Sequence, residues 1–276
     1  MAGFLDGNSY GKSRIRVVKV TRGAERHDLN ELTVNIQFEG DFDAVHIAGD
    51  NRNVLPTDTM KNTVYALAKD WSGEQIEDFG CQLVEHFLGG NPQTARVRVT
   101  IQQSHWLRMG SQAFTKGSEE QRLTQITGVG GGVQIESGIE NLVALKTTGS
   151  SFEGYKKDRY TTLKETSDRI LATAIRANWR YSSSDVEFGR CWREAREAIL
   201  KTFTERDSPS VQHTAYAMGN AVLKAVPEIA GIRLSLPNKH CLLVDLAPFG
   251  LDNPNEIFVP TDEPHGLIEV AMRRAG

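Results

Sequence analysis

The feature that most constrains this chain is a change of hydrophobic period that occurs twice, in the same order. Glu31 to Phe38 alternates strictly, with Leu32, Val34, Ile36 and Phe38 on one face and Glu31, Thr33, Asn35 and Gln37 on the other. That is the pattern of a strand buried on one side. Val97, Val99 and Ile101 repeat it within Arg96 to Gln102, and Ser13 to Arg22 is a Val- and Ile-rich strand ending at a turn near Thr21-Arg22-Gly23. Between these strands the period becomes helical: Met60, Val64, Leu67 and Ala68 follow Thr57, which stands where an N-cap belongs. Ser72-Gly73-Glu74-Gln75 has the form of a capping box and opens a second helix through Ile76, Phe79, Leu83 and Phe87, which Gly89-Gly90 ends. Another strand is expected near Leu123 to Val129.

The second half reads in nearly the same way. Ile139 to Thr147 and Arg169 to Tyr181 are strand candidates, followed by a helix with Phe188, Trp192, Ala195 and Ile199 on one face. A further helix starts at Ser208-Pro209-Ser210, carries Val211, Ala215, Met218 and Val222, and stops at Pro227. Ile232, Leu234 and Leu236 alternate up to Pro237, and Cys241 to Leu246 is read as the final strand. Each half is thus a strand pair, a helix pair and a strand pair, an α+β arrangement in which helices cover one face of an antiparallel sheet. The expected domains are residues 1–134 and 135–276. The face not covered by helices carries Arg, Thr, Asn and Gln in the first copy, which suits solvent or a wet tunnel lined by several subunits.

Composition narrows the class of partner. Lys plus Arg number 32 and Asp plus Glu 35, a formal charge of −3, so no global field points toward nucleic acid or an anionic membrane. No apolar run approaches the roughly 18 residues of a membrane span, and Met1 to Tyr10 has no basic segment followed by an apolar core. Cys81, Cys191 and Cys241 are odd in number and far apart, which favours a reducing cytoplasm over a disulfide framework. The seven histidines include no closely spaced pair and no Asp-rich loop occurs, so no metal is expected. Gly128-Val129-Gly130-Gly131-Gly132 fails as a nucleotide fingerprint because Val133 stands where a glycine is needed; a flexible loop between the halves is expected there. No G-x-S-x-G elbow supports hydrolase chemistry.

Six stretches carry a specific resemblance. They are YGKSRIRVVKVTR from Tyr10, TDTMKNTVYALAK from Thr57, LKTTGSSFEGY from Leu145, DRYTTLKETSDRILAT from Asp158, SPSVQHTAYAMG from Ser208 and LPNKHCLLVDLAPFGLDNPNEIF from Leu236. Together and in this order they resemble the urate oxidase family. The resemblance implies tandem tunnelling-fold domains that assemble as a homotetramer into a hollow barrel. It also implies oxidation of urate by O2 and water to 5-hydroxyisourate and H2O2, with no cofactor.

The same resemblance assigns residues that would otherwise read as ordinary. Lys12, placed just before the first strand, would be a solvated lysine and Thr57 a helix cap; the resemblance makes them a catalytic dyad that moves a proton to or from urate. The need is physical, because a hydroxyl is a poor base unless a neighbour takes its proton. His240 matches the position linked to the dyad by hydrogen bonds, and Asp58 joins Thr57 on the substrate side. Arg169 and Gln212 match the residues that grip the purine edges, where a guanidinium and an amide offer complementary donors and acceptors. Phe152 matches the ring stacked on urate, and Val211 a backbone N–H donor in the first turn of its helix. Asn238 matches the residue that, with Thr57, holds O2 and then water above the purine. Lys12 and Thr57 would come from one subunit and Phe152, Arg169 and Gln212 from its neighbour, so a lone folded chain would be inactive.

Departures from the family pattern are local. His105 to Lys116 lacks a histidine-rich approach to Ala113-Phe114, and Leu55-Pro56 is bulkier and stiffer than the small residues usual before the threonine. The sequence given ends at Arg274-Ala275-Gly276 without Ser-Lys-Leu, so a cytoplasmic rather than peroxisomal enzyme is expected. GTP cyclohydrolases share the tunnelling architecture, but their zinc forms need clustered His and Cys ligands that this chain lacks. A purine-binding protein without turnover would have lost Lys12 or Thr57, and both are present.

Overall fold

The computed structural model describes residues 3–275; Met1, Ala2 and Gly276 lie outside them. The fold is α+β, and its strands follow chain order in an antiparallel sheet of eight. Two compact units divide the chain: residues 1–138 with 180–190, and residues 139–179 with 191–276.

The first unit is built on β1 (Tyr10–Arg22), β2 (His27–Gly40), β3 (Thr94–Arg108) and β4 (Phe114–Val129). Each pairs antiparallel with the next. Between β2 and β3 stand a short α1 (Asp43–Ala48), which periodicity did not reveal, then α2 (Thr57–Asp70) and α3 (Ile76–Gly90). The alternating side chains Leu32, Val34, Ile36 and Phe38 of β2 and Val97, Val99 and Ile101 of β3 are fully buried against Met60, Val64, Phe79, Leu83 and Phe87. Burying such side chains contributes on the order of 1.5–3 kcal/mol each, which is why period 2 and period 3.6 meet at one layer.

The second unit contains most of β5 (Gly132–Lys146) and β6 (Leu171–Tyr181), then most of α4 (Phe188–Glu205), α5 (Val211–Ala225), β7 (Ile229–Leu243) and β8 (Phe258–Arg273). Ala215, Met218 and Val222 of α5 are buried, as are Leu234 and Leu236 of β7. The last helix of each half lies close on its sheet through a glycine. A Cβ on Gly80 of α3 would sit 2.5 Å from Ile126 of β4, and one on Gly219 of α5 would sit 2.4 Å from Met272 of β8.

Several local expectations need correction. Thr57 is the first helical residue rather than the cap: the first helix bond runs from Met60 N–H to the Pro56 carbonyl, which makes Pro56 the capping position. The capping box does not form, because Gly73 takes φ +92° and Ser72 instead accepts the Glu74 N–H in a tight turn, delaying the helix until after Gln75. Lys12 lies inside β1, not before it. The glycines at 128–132 are no flexible loop: β4 and β5 are extended on either side of a turn at Gly130-Gly131, with Gly131 at φ +105°. The strand through Cys241 is the end of β7, which runs unbroken through Pro237, and β8 follows after a 3-10 turn at Ala247–Phe249. Strand β8 has no clear alternation in the sequence because Pro260, Pro264 and Gly266 interrupt its pattern.

Candidate active site

The assigned residues fall into two sets, one in each unit. Lys12, Thr57 and Asp58 belong to the first unit; Phe152, Arg169, Val211, Gln212, Asn238 and His240 belong to the second.

In the first unit Lys12 pairs with Ile36 across β1 and β2, and a register shift follows it before Ile15. Gly11 lets the strands approach there, since a Cβ would meet the Ile36 carbonyl oxygen at 1.8 Å. Arg14 turns into the left-handed region at φ +58° and its N–H donates to Asn35 Oδ1 at 2.8 Å, which fixes the bulge. The Lys12 ammonium makes no hydrogen bond or ion pair to another described residue. Thr57 is half-buried, and its hydroxyl likewise has no protein partner among the described residues. The first-turn N–H groups of α2 have no side-chain cap, so they remain open donors beside the Thr57 hydroxyl. Asp58 is exposed and committed within its own helix: Lys61 hydrogen-bonds it and holds its carboxyl below the usual range, with Asn62 and the charge of Lys12 adding to the effect.

The second unit holds its residues in a clasp of three segments. Ser208 N–H donates to the Gly149 carbonyl at 2.8 Å, Ser151 N–H to the Ser208 carbonyl at 2.9 Å, and Arg169 N–H to the Ser150 carbonyl at 2.8 Å. Phe152 and Thr166 exchange both backbone bonds, at 2.8 and 3.2 Å. The Asp168 carboxylate accepts Thr148 Oγ1–H at 2.7 Å and Gly149 N–H at 2.8 Å. Thr148 is the first cause of the lowered Asp168 pKa, and the backbone donors add to it.

This clasp brings Arg169 over the Phe152 ring, Cζ to centroid 5.4 Å, while Tyr155 stacks on the same ring at 4.8 Å. Burial pushes the Arg169 pKa down, and its Nε is buried with no hydrogen-bond partner. No carboxylate pairs with it among the described residues. The clasp also fixes the start of α5, because Thr214 Oγ1 bonds Ser208 Oγ at 2.7 Å and the Ser210 hydroxyl caps the helix through His213 N–H at 3.1 Å. Val211 and Gln212 then occupy the first turn with N–H groups that no cap covers, and the Gln212 amide is exposed.

Asn238 and His240 flank a register shift on β7, opposite Gly266 and Thr261 of β8. Lys239 between them is drawn away by Asp262 at 2.8 Å. Both Asn238 and His240 are half-buried, with no side-chain hydrogen bond to other described residues.

Sequence reasoning did not identify Ser150, Asp168, Ser208 or Thr214 as the supports of this set. The clasp joins segments up to 60 residues apart, as between Lys146 and Arg206, and no local pattern encodes such pairing. Among the described residues no group of three or more His, Cys, Asp or Glu side chains is arranged to hold a metal ion. None of the described helices is long and apolar enough to cross a membrane. In the divergent segment, the β3–β4 turn is closed by Met109 N–H to the Ala113 carbonyl at 2.9 Å, with Arg108 lying 4.9 Å over the Phe114 ring.

An anion with a flat aromatic body and hydrogen-bonding edges fits the second set: a desolvated cation, an aromatic face, an exposed amide and open helix N–H groups. The first set offers a hydroxyl and an ammonium, both unspent. Comparison with known proteins is consistent with that chemistry. The family model described as Uricase matches residues 8–127 and 135–269. The chain is 47% identical to the uricase of Arthrobacter globiformis over 99% of this chain and 90% of that protein. It is 34% identical to the uricase of Dictyostelium discoideum over 100% and 99% respectively. The crystal structure of the Arthrobacter globiformis uricase superposes with TM-score 0.96 at 46% identity, over 100% of this chain and 96% of that one. Urate oxidase from Bacillus sp. TB-90 superposes with TM-score 0.83 over 97% of this chain and 100% of that one; at 21% identity the likeness concerns the fold alone.

Proposed function

Since this chain belongs to the uricase family and is an oxidoreductase acting on urate with O2, we propose that its two residue sets are the two halves of one catalytic site. The reaction converts urate, O2 and water to 5-hydroxyisourate and H2O2. The observation that carries the site assignment is the Arg169 guanidinium: partly desolvated, held over Phe152, and without an ion-pair partner among the described residues. A buried cation without a counter-ion is costly unless a ligand supplies one, and an anionic purine does.

In this reading Arg169 and Gln212 bind opposite edges of urate, Phe152 stacks on its plane and Val211 donates its N–H. Thr57 accepts or returns a proton while Lys12 relays it, which requires that both groups be unspent, as they are among the described residues. Asp58 contributes through the helix start, since its carboxylate is occupied by Lys61 and Asn62. Asn238 and Thr57 hold O2 and then water, and His240 supports the dyad. Urate transfers electron density directly to O2, a peroxide forms at the purine, and water displaces it as H2O2. The protein supplies orientation, deprotonation and a fixed oxygen pocket.

We further propose that the two units are tandem tunnelling-fold repeats, with boundaries near 1–134 and 135–276, and that four chains form the barrel. The matching element order and the paired glycines of α3 and α5 support the repeat. Lys12 and Thr57 of one chain would then serve Phe152, Arg169 and Gln212 of another. The free thiols Cys81 and Cys241 suit a reducing cytoplasm.

Mixed assembly tests the shared site. Thr57→Ala and Arg169→Gln chains should each be inactive with urate and O2, and chains refolded together should regain part of the activity, because some interfaces then carry two intact halves. Turnover of Thr57→Ala, Lys12→Ala protein at the wild-type rate would refute the dyad; no recovery on mixing would refute the sharing.

A further inference from the structure

We infer that Tyr10 is the positioning residue of the Lys12 and Thr57 pair: its hydroxyl accepts the Leu55 N–H at 3.1 Å and so ties the strand bearing Lys12 to the segment that enters the helix of Thr57. The inference rests on the dyad reading given above and adds to it the group that sets the dyad's geometry.

Tyr10 and Lys12 are two residues apart on β1 and therefore share a face of the strand. Gly11 between them permits tight pairing with β2, so Tyr10 lies opposite Phe38 as Lys12 lies opposite Ile36. The Tyr10 ring meets Phe38 and Phe42 edge-on at 5.7 and 4.8 Å, which fixes its direction. Burial raises its pKa, so the phenol keeps its proton throughout the neutral range.

What the hydroxyl holds is the last backbone donor before the helix. Val54 N–H is already bonded to the Asn51 carbonyl at 3.0 Å, and Pro56 has no N–H. From Leu55 to Thr57, therefore, the Tyr10 hydroxyl receives the one backbone donor that precedes the catalytic threonine. Pro56 is rigid at φ −56° and its carbonyl starts α2, so a displacement of Leu55 passes to Thr57 with little damping. The stiff Leu55-Pro56 pair, which departs from the family pattern, thereby acquires a use: it transmits the tie.

Tyr10→Phe removes the acceptor and keeps the ring, so the packing on Phe38 and Phe42 remains. Since misplacing a reacting group by about 1 Å can cost up to about 100-fold, kcat should fall about tenfold. KM for urate should stay within about twofold, because the purine-gripping residues lie on other elements. Phe38→Leu, which weakens the same aromatic cluster without touching the hydroxyl, should lower the melting temperature and leave kcat near wild type. Equal kcat losses in Tyr10→Phe and Phe38→Leu at matched stability would reduce Tyr10 to packing and overturn the inference.

The two readings fail separately. Thr57→Ala and Lys12→Ala proteins that keep wild-type kcat would sink the dyad and with it anything for Tyr10 to position. Collapsed dyad variants beside a fully active Tyr10→Phe would overturn the Tyr10 inference alone. Hydrogen exchange gives a check independent of any variant: the Leu55 amide of the wild-type enzyme should be protected, and exchange at the rate of an unbonded amide would contradict the tie.

Discussion

Arg169→Gln separates binding from stability, and its size follows from the site. The guanidinium is partly desolvated, has no carboxylate partner among the described residues, and presents parallel donors that an anionic edge can take in pairs. Hydrogen bonds to charged groups contribute about 1.5–3 kcal/mol each, so losing two while glutamine retains a neutral one of about 1 kcal/mol leaves a deficit of roughly 2–5 kcal/mol. At about 1.4 kcal/mol per tenfold, urate affinity should weaken by roughly 30- to 4000-fold. Titration with urate under anaerobic conditions measures this directly, because without O2 the reaction cannot proceed and the constant is a true dissociation constant. Stability should hardly change. The variant gives up a cation–π contact with Phe152 worth about 0.5–1 kcal/mol and escapes the cost of an unpaired half-buried charge, while the backbone bond from residue 169 to Ser150 is kept. Unfolding in urea should therefore shift by less than about 1 kcal/mol. A dissociation constant within threefold of wild type, or a stability loss of about 3 kcal/mol or more of the kind that follows breaking a buried ion pair, would refute the assignment of Arg169 as an anion receptor.

Ser210→Ala removes the cap of α5 and leaves His213 N–H without its acceptor, so stability should fall by about 1 kcal/mol; urate affinity should weaken with it because Val211 and Gln212 stand in that turn, and denaturant melts with anaerobic titration measure both. The lowered pKa of Asp168, due first to Thr148, means its contribution to the clasp is present above the ordinary aspartate value and lost as pH falls through the lower folded value. Acid titration of the melting temperature should show that loss in wild type and a smaller one in Asp168→Asn, while identical acid limbs would count against the clasp. Burial, reinforced by Asp78, Glu77 and Glu85, pushes the Cys81 thiol up to about 11, so at pH 8 it should resist alkylation by iodoacetamide in the folded enzyme, as read by mass spectrometry after digestion; labelling at the rate of an ordinary exposed thiol would contradict this.

How much of this was written in the sequence depends on the range of the interaction concerned. Alternation along Glu31 to Phe38 and helical spacing through Met60 and Phe79 specify which faces are buried, because a side chain's direction follows from the backbone period alone. The ordered motifs by themselves match Lys12, Thr57, Phe152, Arg169 and Gln212 to the family pattern. Local reading failed where two signals competed within a few residues. Thr57 and Ser72 are both good caps by type, yet the Pro56 carbonyl and the left-handed Gly73 decided where the helices start. Tertiary structure alone decided which groups remain unspent. That the side chains of Thr57, Lys12 and Arg169 have no hydrogen-bond or ion-pair partner among the described residues, that Asp58 is committed to Lys61, and that Ser150 and Ser208 zip distant segments into one clasp are outcomes of packing. Residue type sets what a group can do; only the surrounding fold determines whether its hydrogen-bonding capacity has already been used or is still available to a substrate.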